Sequence, residues 1–406
     1  MILKNPTDNK NDIYNGLKEL VLKLNLLYIN LDLVNKNIET LLKIFIKLKK
    51  TWDLLIQEKN KIIFKKIYKT DPDYKTILKI ISQSILSDSK PILNITMTNQ
   101  HIGLLSWNNI EFYWFYPSDD ICSNDDICSN DDKLYKMALN MFMISLCLNR
   151  LKYSQDNIKR LIIWIPIKKE RNFSHIKITG KNLSKSVENF EAFVASGVTW
   201  GLKPKITIIT RYEEVEKLLI HELIHNYNMD GSAYHTEFKS IINKYTQYKN
   251  NSNSQNKNYD YEFSIYESYT ELLSTYLYLL FSNIEMDQIK QIKQIKSKLL
   301  GQILLELIYS YNTVANLIQL NNYDKYGDFV KEKIFIGNIC VYEYYYIKAL
   351  MYNNYLLELG NNIDEFKNIY KHIIKMVKKN NIQDDLLMEN IYTNYIKQTN
   401  FKYQIH

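Results

Sequence analysis

Glycine and proline are scarce in this chain, ten and six among 406 residues. Phosphate-cradling loops are built from glycine, and neither a Gly-rich phosphate loop nor a Gly-x-Ser-x-Gly elbow occurs. Nucleotide-binding and serine-hydrolase chemistry therefore lack their usual material. The four cysteines form no Cys-x-x-Cys pair, and so few in so long a chain make no disulfide framework. Cys122 and Cys128 are copies of one another in a tandem hexapeptide, Asp-Asp-Ile-Cys-Ser-Asn at 119–124 and again at 125–130, which reads as a duplicated acidic loop. No apolar run approaches the length of a membrane span. The first residues, Met1-Ile2-Leu3-Lys4-Asn5-Pro6, lack the apolar core of a signal peptide. The expectation is a soluble, intracellular protein.

Charge of one sign is not concentrated anywhere. The net charge is +8, but 52 basic and 44 acidic residues are interspersed. That predicts a solvated basic surface, with nucleic acid left open as a partner but not favoured. Abundant Ile, Lys, Asn and Tyr match the codon usage of an AT-rich genome, so Lys and Asn carry little functional information.

Hydrophobic spacing divides the chain. From about Asp12 to Ser89, apolar residues including Leu17, Leu20, Leu24, Leu27, Leu31, Val34, Ile38 and Leu41 recur at three- and four-residue steps, predicting a helical N-terminal module over 1–90. After Pro91 the period shortens. Segments 92–97, 102–106 and 110–116 read as strands, with Asn108-Asn109 as a hairpin turn between the last two. A helix over 133–149, strands at 161–165 and 205–209 and an extended piece at 190–195 complete an α/β lobe over 91–235. Helices near 236–248, 262–282, 287–321, 339–359, 363–379 and 383–398 predict a mostly helical lobe over 236–406, interrupted by a polar linker at 249–258. The fold class is α+β.

The strand at 205–209 feeds Leu218-Leu219-Ile220-His221-Glu222-Leu223-Ile224-His225. Thr210 and Glu213 fit a capping box, so the helix is expected to begin near Arg211 and to end at Asp230-Gly231. Residues four apart lie one turn up the same face, so His221 and His225 can reach one ion, and the spacing points to Zn2+. Glu222 projects about 100° around the helix from His221. In a chain with seven histidines this pattern rarely assembles by chance.

Further on, Glu267 and Glu271 are the only charged residues between Phe263 and Ile284. They share a helix face, which Ser274 and Tyr278 continue. Two like charges on an apolar helix are costly without a cation, and no Lys stands at four-residue spacing to supply one. A zinc ion held by the two histidines would.

Together these residues resemble the gluzincin metallopeptidases, in which a His-Glu-x-x-His helix is followed by a helix carrying a Glu ligand. The resemblance spans about Ser196 to Leu280. It implies a zincin-like fold, His221, His225 and Glu267 as metal ligands, Glu222 as the catalytic general base, and Glu271 as the acid supporting the ligands from behind. Glu stands at 271 where Asp is commoner, which leaves open which of Glu267 and Glu271 touches the metal. Ser196-Gly197-Val198-Thr199, Arg211 to Lys217 and the motif ending in Asn226 are also similar to uncharacterised metallopeptidases of large DNA viruses, which implies a host-cytoplasm or virion location.

Other ligand sets stay open. Metzincins place Gly three residues and His six residues past the second histidine; here those positions are Asn228 and Gly231. Asp230 and His235 are the remaining candidates for a third ligand. The expected reaction is hydrolysis of a peptide or protein substrate by a zinc-activated water, with Glu222 moving the proton. Tyr342, Tyr344, Tyr345 and Tyr346 are candidates for oxyanion stabilisation by residue type, and the stretch from Phe190 to Val198 for pairing with substrate backbone. The competing reading is a catalytically inactive zincin-like protein that binds a protein or nucleic-acid partner.

Overall fold

A computed structural model describes residues 29–84, 100–117, 129–151, 158–166, 197–200, 204–210, 212, 214–234, 265–285, 288–320, 347–360 and 362–378. Among these the chain is α+β, with eight helices and a mixed six-stranded sheet. No helix among them is long and apolar enough to cross a membrane. The described residues of Phe45–Tyr227 form one compact unit, and those of Met1–Ile44 and Asn228–Gln404 a second. The strand expected at 92–97, the extended piece at 190–195, the linker at 249–258, the helices at 236–248 and 383–398, and the acidic repeat apart from its last two residues lie outside the described residues.

The first unit holds the sheet: β1 (Ile63–Ile67), β2 (Gln100–Trp107), β3 (Ile110–Pro117), β4 (Arg160–Trp164), β5 (Gly197–Trp200) and β6 (Lys205–Ile209), in the order β1-β2-β3-β4-β6-β5. β2 runs antiparallel to both β1 and β3, β3, β4 and β6 run parallel, and β5 lies antiparallel to β6 at the end of the described sheet. The predicted hairpin is present. Asn108 and Asn109 both adopt positive φ, 50° and 62°, as a two-residue turn of primed type needs, and Trp107 pairs with Ile110. β1 interrupts the helical module expected over 1–90. Backbone pairing with β2, from Ile63 opposite Ser106 to Ile67 opposite Ile102, overrides local helical spacing there. Only Ile67 of β1 is buried, so the strand leaves little pattern in the sequence.

Strand alternation sorts side chains to two faces. One face gathers Ile102, Tyr113, Phe115, Leu161, Ile163 and Ile208 against Tyr74, Ile77 and Ile81 of helix α2 (Pro72–Ser84). Each fully buried aliphatic or aromatic side chain contributes about 1.5–3 kcal/mol. The alternate positions Phe112, Ile162, Trp164, Thr207 and Ile209 are buried too. Phe112 meets Phe142 of α3 (Ser129–Leu151) edge to face at 6.4 Å, and α4 (Val215–Asn226) packs against β5 and β6.

Helix α1 (Leu31–Gln57) buries Val34, Ile38, Leu41, Phe45, Leu48, Trp52 and Leu55, an unbroken alternation of four- and three-residue steps; Leu31, expected on that stripe, is exposed. The second unit contains the start of α1 with α5 (Ile265–Phe281), α6 (Gln288–Leu320), α7 (Lys348–Asn354) and α8 (Ile363–Lys378). α5, α6 and α8 fall within a few residues of their expected bounds. Asn30 caps α1 through Oδ1, which accepts from the Leu33 amide at 3.1 Å. Asn37, fully buried, behaves like a piece of strand: its Nδ2 donates to the Tyr355 carbonyl at 3.0 Å and its Oδ1 accepts from the Leu357 amide at 2.8 Å. Replacing Asn37 with Leu strands one backbone donor and one acceptor, and is expected to lower unfolding free energy by about 2–4 kcal/mol in urea titrations.

Candidate metal centre

Helix α4 starts at Val215 and not near Arg211. Glu214 takes a left-handed conformation, φ 51° and ψ 22°, and makes no side-chain capping bond. Thr210 stays buried just past the end of β6, and Glu213 lies outside the described residues. A backbone turn at Glu214 thus stands where the capping box was expected. The helix also stops early, at Asn226: the Tyr227 amide donates to the Leu223 carbonyl at 2.8 Å and Asn228 turns left-handed with φ 55°. His221 therefore sits in the second turn and His225 in the last.

The two Nε2 atoms lie 3.3 Å apart, with the rings at 75° to one another. At that separation both ring nitrogens can reach one ion. Glu267 lies in the first turn of α5, and among the described residues His221, His225 and Glu267 are a group that could hold a metal ion, one ligand atom from each falling within 4.8 Å of the others. A first-turn position places its carboxylate at the positive end of the α5 dipole.

Glu271 has a different fate. Its Oε1 accepts from Lys348 Nζ at 3.1 Å, the lysine being 1% and the glutamate 15% exposed. The counter-charge sought four residues away on α5 comes instead from α7, 77 positions along the chain. Ser274 does not extend the polar stripe, because its hydroxyl turns back to the Glu271 carbonyl at 3.0 Å. Asp230, the alternative ligand, is buried and engaged locally: Oδ1 accepts from the Ser232 amide at 3.0 Å and hydroxyl at 2.8 Å, and Oδ2 from Thr270 at 3.4 Å. Its carbonyl accepts from Tyr370, whose phenol burial raises well above the usual range, so it remains a neutral donor. Asp230 is not in the His–His–Glu group, and His235 and the tyrosines at 342–346 lie outside the described residues.

Glu222 is 7% exposed and packs against β5. A Cβ on Gly197 would fall 2.6 Å from Glu222 Oε1 and 2.9 Å from Cδ, so any larger residue would force the carboxylate to move. The space beside Gly197 is occupied by Glu222. Of the stretch expected to pair with substrate, 190–196 is outside the described residues, while Gly197 and Val198 lie on the edge strand. Thr199 Oγ1 lies 2.8 Å from Glu222 Oε2. At the other end of α4, Lys205 Nζ donates to the Asn226 carbonyl at 2.5 Å, and the Arg160 guanidinium stacks 4.7 Å from the Tyr227 ring centre. Two buried cations thus complement the negative end of the helix.

Sequence reasoning missed Thr199 as a partner of Glu222, because only the packing of α4 on β5 brings the two together. Lys348 did leave a signal, a single lysine within Ile347-Lys348-Ala349-Leu350-Met351.

Two substitutions probe this arrangement. Gly197→Ala is expected to cost about 1–3 kcal/mol in urea unfolding through overpacking against Glu222. Lys348→Met is expected to cost about 3 kcal/mol, with most of it regained when combined with Glu271→Gln, measured the same way. Comparison of the chain with protein-family models, with curated proteins and with solved structures finds no match, so the reading of the site rests on its own chemistry.

Proposed function

We propose that the protein is a zinc-dependent peptidase of gluzincin type with a zincin-like catalytic core. The observation that carries this reading is the convergence of His221, His225 and Glu267. Two imidazole nitrogens and one carboxylate are a donor set typical of catalytic zinc, and the 3.3 Å nitrogen separation suits it. When bound, zinc supplies Lewis acidity, polarising a carbonyl and bringing the pKa of a coordinated water to about 7.

The chain's own residues supply the rest. The Glu222 carboxylate accepts the proton of the attacking water and delivers it to the leaving nitrogen, so that the peptide carbonyl becomes an acid and the departing group an amine. Thr199 holds that carboxylate at Oε2. Glu271, neutralised by Lys348, supports Glu267 without adding a second uncompensated charge. The substrate is an extended peptide, and the edge strand β5 offers backbone groups for strand addition beside Glu222.

The purified protein is expected to hold about one zinc per chain by atomic emission, and His221→Ala to lose it. Glu267→Ala should release zinc under dialysis that Glu271→Gln withstands. Glu222→Gln should keep the metal yet cleave quenched fluorescent peptides about 10²–10⁴ times more slowly. A wild-type protein that carries no zinc and takes up none on addition would overturn the reading.

A further inference from the structure

The polar side chains buried beneath α4 connect in one direction. Arg160, the first residue of β4 and 1% exposed, donates Nε–H to Asn226 Oδ1 at 3.0 Å. That contact orients the amide, and Asn226 Nδ2 donates to Thr207 Oγ1 at 2.9 Å. Thr207 faces Thr199 across the β5–β6 pair with their hydroxyl oxygens 3.2 Å apart. Thr199 Oγ1 in turn lies 2.8 Å from Glu222 Oε2.

Each threonine hydroxyl has a single proton to donate. Thr207 receives one from Asn226 and directs its own to Thr199; Thr199 directs its own to Glu222. A guanidinium only donates and an ionised carboxylate only accepts, so the two ends set the same sense. The Glu222 carbonyl also lies 3.0 Å from the Thr199 hydroxyl, but the carboxylate is nearer and charged and makes the stronger acceptor. Asn226 and Thr207 are fully buried, where low polarity strengthens each link.

We propose that Arg160, Asn226, Thr207 and Thr199 form a one-way hydrogen-bond relay that fixes the Glu222 carboxylate in place over Gly197. They are positioning residues, acting through Glu222. The relay's catalytic meaning rests on Glu222 being the general base of a peptidase; its existence does not.

The test uses the full chain without metal. Unfolding in urea of Thr199→Val, Glu222→Ala and their combination gives the coupling between the two side chains, expected to be about tenfold in the unfolding constant. Asn226→Asp keeps the shape and the Arg160 contact but removes the donor to Thr207. Thr207 then turns its proton toward residue 226, and the Thr199 oxygen loses the donor that fixes its own proton toward Glu222, so the Thr199–Glu222 coupling should fall below about threefold. If Asn226→Asp does not fold, Thr207→Val interrupts the same chain and is read the same way. On peptide substrate, Thr199→Val should lower kcat about ten- to a hundredfold with KM and zinc content unchanged, and Thr199→Ser should restore it. Additive effects of Thr199→Val and Glu222→Ala, coupling indifferent to both Asn226→Asp and Thr207→Val, or a Ser variant no better than Val would overturn the relay. Intact, Asn226-sensitive coupling in a wild type that cleaves no peptide would leave the relay standing and remove the peptidase reading.

Discussion

Helix α4 has to bury polar and apolar side chains together. Leu219, Ile220, Leu223 and Ile224 drive it onto the sheet, and the same packing takes His221, Glu222 and Asn226 out of water. A buried polar group left without a partner costs about 1–3 kcal/mol, and a charged one more. Much of the surrounding structure answers that demand. Gly197 gives Glu222 space, Thr199 of β5 and Thr207 of β6 supply hydroxyls to Glu222 and Asn226, and Arg160 and Lys205 satisfy Asn226.

The same economy of charge separates the acids. Glu267 and Glu271 share a helix face, yet one joins the histidines and the other pairs with a lysine that is almost wholly buried. Asp230 accepts from Ser232 and Thr270. Three carboxylates therefore do three different things, and what distinguishes them is the group each one meets.

Much of this was legible in the sequence where the information is local. The His-Glu-x-x-His spacing, the isolated Glu pair, the Asn108-Asn109 turn and the bounds of α5, α6 and α8 all follow from periods of 3.6 or 2 within a short window. What escaped is non-local. β1 is a strand because β2 pairs with it, and four of its five side chains are exposed, so no hydrophobic alternation marks it. The start of α4 is set by a left-handed Glu214, a conformation that a non-glycine sequence does not advertise, and this displaced the capping-box expectation. Lys348 and Thr199 are ordinary residues until register and topology bring them to Glu271 and Glu222.

The hydrogen bonds beneath α4 also bear on the order in which the chain folds. Arg160 and Asn226 are 66 positions apart, Thr199 and Glu222 are 23 apart, and β4, β5, β6 and α4 must all be in place before the set closes. Contacts of such separation form only after loop-closure entropy has been overcome, whereas the β2–β3 hairpin needs two turn residues. The sheet can nucleate at the hairpin while the ground beneath the histidines is still open. Holding Glu222 in place thereby depends on four elements, β4, β5, β6 and α4, being docked at once.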